Sequence, residues 1–237
     1  MNKQNILIAS TILSIGIASL GMFIKSGIVH FKDSERVVTV KGLAERSVEA
    51  NNVIWPISYK IVGNDLNSLY NEMEQKNKKI IDFLTKSGIQ PADITTAIPN
   101  VLDYKADIYR NQNEIPFRYN ISSTITVTSS QIEVARATMA NITELMKAGI
   151  AISSEQYGTS NVSFNYTSLN EIKPDMIQQA TENARSAAEK FALDSKSKLG
   201  KIKTATQGQF SITVTDRNAP HKKMVRIVTT IEYYLKD

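Results

Sequence analysis

From Ile6 to Ile24 the chain reads ILIASTILSIGIASLGMFI, without a single charge. At about 1.5 Å per helical residue this stretch spans roughly 28 Å, close to the hydrocarbon thickness of a bilayer. Its polar members are Ser and Thr, whose hydroxyls can bond back to helix carbonyls. A buried core helix would show a polar stripe, and there is none. Lys3 and Lys25 bracket the run. The sequence therefore predicts an N-terminal membrane anchor over residues 1–31, followed by a body over 32–237. A cleaved signal peptide is the competing reading, with Ala18, Ser19 and Gly21 as small residues near a cut. Its apolar core is usually shorter, roughly 7–15 residues. The flanking charges nearly balance, so the positive-inside bias is weak. A short tail before a large body fits a signal-anchor that exports the body.

About two hundred residues remain, enough for one large or two small domains. There is no cysteine, which excludes disulfides, thiolate zinc sites and a cysteine nucleophile. The formal charge is +5, with both signs mixed along most of the chain. Nucleic-acid binders concentrate basic charge on one face, so no nucleic-acid partner is expected.

Hydrophobic period supplies the elements of the body. Val37–Lys41 is a short β-rich run, and GLAERS after it reads as a turn or bulge. Val53, Trp55, Ile57, Tyr59 and Ile61 alternate with Ile54, Pro56, Ser58, Lys60 and Val62, a period of two that marks a strand with one buried face. Pro56 cannot donate to a ladder, which places it at an edge or bulge. Leu66, Leu69, Tyr70, Met73, Asn77, Ile80, Ile81 and Leu84 follow helical spacing, with caps at Gly63–Asp65 and a stop at Gly88. Residues 94–109 and 117–127 form a long hairpin around the polar loop 110–116. Ser129-Ser130 caps a second helix along Ala135, Met139, Ile142, Leu145 and Met146, closed by Gly149. A strand centred on Phe164 follows. A third helix starts near Pro174, buries Ile177, Ala180, Ala184, Ala187, Ala188 and Phe191, and ends at Gly200. A hairpin with arms around Phe210–Val214 and Val225–Leu235 closes the chain.

The order ββ-α-ββ-α-β-α-ββ predicts an α+β body, with mostly antiparallel sheets, long hairpins and three helices packed on one face. It is compatible with two intertwined subdomains, about 36–95 with 174–237, and about 96–173.

Chemistry is harder to find. His30 and His221 are the two histidines, and neither has a second metal ligand at helical spacing. No G-x-S-x-G elbow and no phosphate-binding glycine loop occurs. Asp103 and Asp107 share a strand face but lie about 13 Å apart. That is wider than the roughly 5–9.5 Å of glycosidase pairs. Arg217, His221, Lys222, Lys223 and Arg226 are the densest basic cluster and a candidate contact for lipid phosphate or an acidic partner. Asn-x-Ser/Thr triplets begin at Asn120, Asn141, Asn161 and Asn165, as an Asn-rich chain produces by chance.

The stretch VVTVKGLAERSVEANNVIWPISY (37–59) resembles the opening of SIMPL-domain proteins, formerly a domain of unknown function, in the subgroup with an N-terminal anchor. Gly42, Leu43, Ala44, Glu45, Arg46, Val48, Ala50 and Ile54–Pro56, with Trp55 between, carry the likeness. Gly88-Ile89, Asp93-Ile94 and residues 180–202 extend it. Asn51 departs from it, since an Asp is expected after Ala50. The resemblance implies a bacterial envelope protein held at the inner membrane with its body on the periplasmic side. It also implies oligomers and a link to oxidative-stress tolerance, and supplies no catalytic residues. The expectation is a non-enzymatic module that self-associates or binds envelope proteins, without cofactor, metal or small-molecule substrate. The alternatives are a hydrolase using the carboxylates near Asp93–Asp107, or a lipid or ligand binder using the final basic turn.

Overall fold

The computed structural model describes residues 3–33, 36–106, 116–153 and 162–236. Asp107, the hairpin tip 110–115 and Asn161 lie outside them. The first helix, α1, runs unbroken from Lys3 to Asp33. Its window Thr11–Ile28 is long and apolar enough to cross a membrane, and none of that window is buried. A signal sequence near the N-terminus can be as long and as apolar.

The body contains strands β1 (Val37–Glu49), β2 (Asn52–Gly63), β3 (Ile94–Thr96), β4 (Asn100–Asp103), β5 (Tyr119–Ser129), β6 (Ser163–Asn165), β7 (Lys198–Gln207), β8 (Ser211–Val214) and β9 (Lys222–Lys236). Its helices are α2 (Leu66–Lys86), α3 (Ile132–Ala140), α4 (Thr143–Lys147) and α5 (Leu169–Asp194). One sheet has the order β1-β9-β7, with β8 on β9; the other has β3-β5-β2-β6, with β4 on β5. This is the α+β class expected, with four body helices instead of three. The chain divides into two compact units. The first holds residues 1–46, 170–211 and 225–237; the second holds 47–169 and 212–224. β2 and α2 thus group with β5 and β6.

In the second unit the alternation works as expected. β2 pairs with β5 antiparallel from Val53↔Ser129 to Gly63↔Tyr119. Their odd-numbered residues turn inward, so Val53, Trp55, Ile57, Tyr59 and Ile61 meet Ile121, Ile125 and Val127 in one core. Leu69, Met73, Ile80 and Leu84 of α2 cover it, each burial contributing about 2 kcal/mol. Asp65 caps α2, accepting from the Ser68 N–H at 2.7 Å. At the far end Gly88 takes φ +96°, and its N–H and that of Ile89 donate to Thr85 and Leu84. Gly149 closes α4 in the same way.

Pro56 lies in a strand with neighbours on both sides, yet its missing N–H costs nothing. Ser58 O accepts from Ser153 N–H, so even-numbered backbone groups of β2 point away from β5. On that side β6 covers only Asn52–Ile54, and the next bridge is Tyr59↔Ile152. Pro56 falls in the gap.

Several expectations need correction. The second helix is two helices: Thr138 Oγ1 bonds back to Val134 O at 2.8 Å, and Asn141 and Ile142 close tighter i→i−3 turns. Its N-cap is Gln131, not Ser130; Ser129 Oγ accepts from the Gln131 N–H. GLAERS is no turn but continues β1. The helix expected to start at Pro174 begins at Leu169, leaving Asn170 O without its helical partner. Its buried stripe is Met176, Ala180, Ala184, Ala188 and Ala192, while Ala187 and Phe191 are exposed. Gly200 lies inside β7, a strand the sequence does not announce.

In the first unit Ala184, Ala188 and Ala192 of that stripe pack with Val38, Ile231, Tyr233 and Leu235. Two residues after α5, Lys196 takes φ +53°, where a glycine is usual. Ser197 N–H donates to Ala192 O and Lys196 N–H to Leu193 O, completing the cap. Lys196→Gly is therefore expected to raise unfolding stability by about 0.5–1 kcal/mol, read from thermal melts.

Candidate functional site

The residues that carry the family likeness are structural. Gly42 faces α5 so closely that a Cβ there would strike the carbonyl oxygen of Ala180 and lie 2.5 Å from Ala184 N. Ala44, two residues on, is buried. Leu43 and Glu45 point the other way; Leu43 O accepts from Asn183 Nδ2 at 2.8 Å. Glu45 pairs with Arg226 at 3.6 Å, and Arg46 with Asp175 at 3.9 Å. Such exposed pairs contribute at most about 1 kcal/mol. Trp55 is buried in the second core, and Pro56 faces outward.

The basic residues of the last turn do not form one surface. His221 and Lys223 turn inward and are nearly buried. The His221 ring meets Phe164 edge-on at 6.1 Å, and burial pushes the Lys223 ammonium below its usual pKa. Arg217 and Lys222 are exposed, and Arg226 is engaged by Glu45.

Of the acidic candidates, Asp103 is engaged, and Asp107 lies outside the described residues. Asp93 belongs to a 3-10 turn, Pro91–Asp93. Asp103 ends β4, and Arg118 Nε and Nη2 grip both its oxygens at 2.9–3.2 Å. Arg118 also lies 4.7 Å above the Tyr119 ring. The side-chain bond from Arg118 holds the Asp103 carboxyl below the usual carboxylate range. A depressed pKa means that the stabilisation is present above the unfolded-state value and is lost as pH falls through the folded one. Carboxyl-detected NMR titration should give Asp103 a midpoint below that of an ordinary aspartate. Arg118→Ala should bring it back up. Among the described residues no group of three or more His, Cys, Asp or Glu side chains could hold a metal ion.

Asn51, the departure from the family pattern, is a clamp. Its Oδ1 accepts from Thr167 N–H and Oγ1 at 2.9 and 3.0 Å, and its Nδ2 donates to Ser168 Oγ at 3.0 Å. An aspartate would keep both acceptor contacts, and the Ser168 hydroxyl can rotate to donate. Asn51→Asp should thus change stability by less than about 0.5 kcal/mol, whereas Asn51→Ala should cost about 1–2 kcal/mol in denaturant titrations.

Two polar arrangements in the second unit escape the sequence reading. One is inside. Tyr59 OH lies 2.9 Å from both Met73 O and Asn77 Oδ1, and Ser123 Oγ donates to Asn77 Oδ1 at 3.0 Å. Burial raises the Tyr59 pKa, so the hydroxyl stays a donor. The other is a recess of about 230 Å³ on the sheet face away from α2. Ser58 and Lys60 of β2, Ser122 and Thr124 of β5 and Asn100 of β4 line its floor. The available signal was the outward set on β5: Asn120, Ser122, Thr124, Thr126 and Thr128 all carry hydroxyl or amide groups.

Comparison with curated proteins finds no match. Residues 38–229 match the SIMPL family, described as proteins of unknown function (DUF541), and the chain, covered over most of its length, belongs to that family.

Proposed function

We propose that this chain is a non-enzymatic module held at the inner membrane by α1, with its body on the periplasmic side, where it pairs with further copies or with other envelope proteins. The observation that carries this reading is the bare apolar surface of α1. Leu13, Ile17, Leu20 and Phe23 are each at least 60% exposed. No part of the described chain covers them, and a lipid phase would. The family residues support a non-catalytic role, since Gly42 serves strand-helix packing, Ala44 is buried, and Glu45 and Arg46 form surface pairs. β7 supports pairing: it bonds to β9 on one side, and no other described strand pairs with its ten-residue edge.

Alkaline extraction of native membranes tests the anchor. The full chain is expected in the pellet, and Leu13→Arg with Ile17→Arg is expected to release it, each arginine costing about 2.5–3.5 kcal/mol. Protease added to spheroplasts should digest the body; full protection would place it on the other side. Light scattering in detergent tests assembly, and a strict monomer at roughly ten micromolar would remove that part of the proposal.

A further inference from the structure

We propose that the recess on the outer sheet face of the second unit binds a neutral, hydroxyl-rich ligand of the saccharide class, about one ring in size. This inference goes beyond the anchored module and does not depend on it. The strand register builds the floor. Lys60, Ser122 and Asn100 form one cross-strand row, and Ser58 and Thr124 form the next. Alternate residues on a strand are roughly 7 Å apart and adjacent strands about 4.8 Å, so the floor measures roughly 7 by 10 Å. That matches the footprint of a sugar ring, and the volume of the open recess, about 230 Å³, has room for one.

The floor is ordered in part and open in part. Ser58 Oγ and Thr124 Oγ1 bond each other at 2.8 Å, and Ser153 at the side is tied to Ser58 O through its N–H and Oγ. Ser122 and Asn100 make no side-chain hydrogen bond to other described residues, leaving a hydroxyl and a full amide to offer both donors and acceptors. On the same face, one row further, Asn120 Oδ1 is buried without a donor among the described residues. At the rim Ile98 is 95% exposed, an apolar side chain placed for the C–H face of a ring.

The chemistry discriminates among ligands. An anion site needs convergent cations, and Lys60, the cation in this lining, already has an interaction of its own. A peptide strand needs an open backbone edge, and this floor is the face of paired strands. Hydroxyls and an amide, with one apolar contact, fit a neutral polyol ring.

The test is a ¹H–¹⁵N NMR titration of the full chain in detergent micelles. The probes are N-acetylglucosamine, glucose and galactose, with inorganic phosphate and diglycine as controls. At least one sugar should shift the amides of Ser58, Asn100, Ser122 and Thr124, saturating at about 1–10 mM. Asn100→Leu and Ser122→Val should each weaken it about tenfold without moving the melting temperature. Asn100 is exposed, so its variant does not endanger the fold. The proposal is overturned if no sugar shifts these amides up to roughly 100 mM, a concentration beyond specific binding. It is equally overturned if both variants bind as wild type, or if phosphate or diglycine reproduces the shifts while the sugars are silent.

Discussion

Gly42→Ala is expected to destabilise the body by about 3 kcal/mol or more, the largest effect anticipated for a single methyl group in this chain. Ordinarily such a change reduces the freedom of the unfolded chain and gains about 0.4–1 kcal/mol where the backbone allows it. Here the new Cβ would meet the Ala180 carbonyl oxygen, with Ala184 N at 2.5 Å and Ala184 Cβ at 2.8 Å. Two of those three atoms are helix backbone and cannot swing aside, so β1 and α5 must separate. Separation loosens the alanine stripe against Val38, Ile231 and Leu235. Chemical denaturation of the full chain in detergent, followed by circular dichroism, measures the loss. Adding Ala184→Gly removes the Cβ contact and leaves the backbone contacts, so it should restore little. A loss under about 1 kcal/mol would mean that strand and helix have room to move apart.

Asn77→Leu is expected to cost about 2–3 kcal/mol, although leucine has the same branching and is more apolar. The variant removes the acceptor shared by Tyr59 OH and Ser123 Oγ. Tyr59 keeps Met73 O, but Ser123, 1% exposed, loses its acceptor at Asn77 Oδ1 and keeps only its contact with the Tyr59 hydroxyl. The cost is an acceptor lost to two hydroxyls of an inward-facing network. Adding Ser123→Ala to Asn77→Leu should therefore recover about 1 kcal/mol or more in the same titration. If the double variant is no better than the single one, the network is not what Asn77 supplies.

Asn77 shows what pattern reading sees and what it misses. Its helical spacing placed it on the inward face of α2, and it is there. That it completes a hydrogen-bond network depends on Tyr59 and Ser123, 18 and 46 residues away. β2, β5 and β9 were legible because each has one wet and one dry face, which writes a period of two into the residues. β7 was not, because nearly all its side chains are exposed and no burial constrains their order. GLAERS resembled a turn for a related reason. Gly42 is small because a helix lies against it, and small residues are also what turns contain. In α5 the buried positions recur every four residues, an alanine stripe that turns about 40° per step around the helix. A reading at period 3.6 therefore set Ala187 and Phe191 on the buried side.

The sequence by itself determined the apolar run from Ile6 to Ile24, the inward faces of the long strands, the caps of α2 and the α+β class. All of these follow from interactions within a few residues, or from one side of an element meeting water or oil. The anchor was sharpened only modestly by the structure: α1 is one helix, longer than the run, with no described part of the chain over its apolar window. The tertiary structure alone decided which strands share a unit, why position 42 has no side chain, how Arg118 takes up Asp103, and that Ser58, Asn100 and Ser122 share one recess. These are distances between residues far apart in the chain, and no local period encodes them.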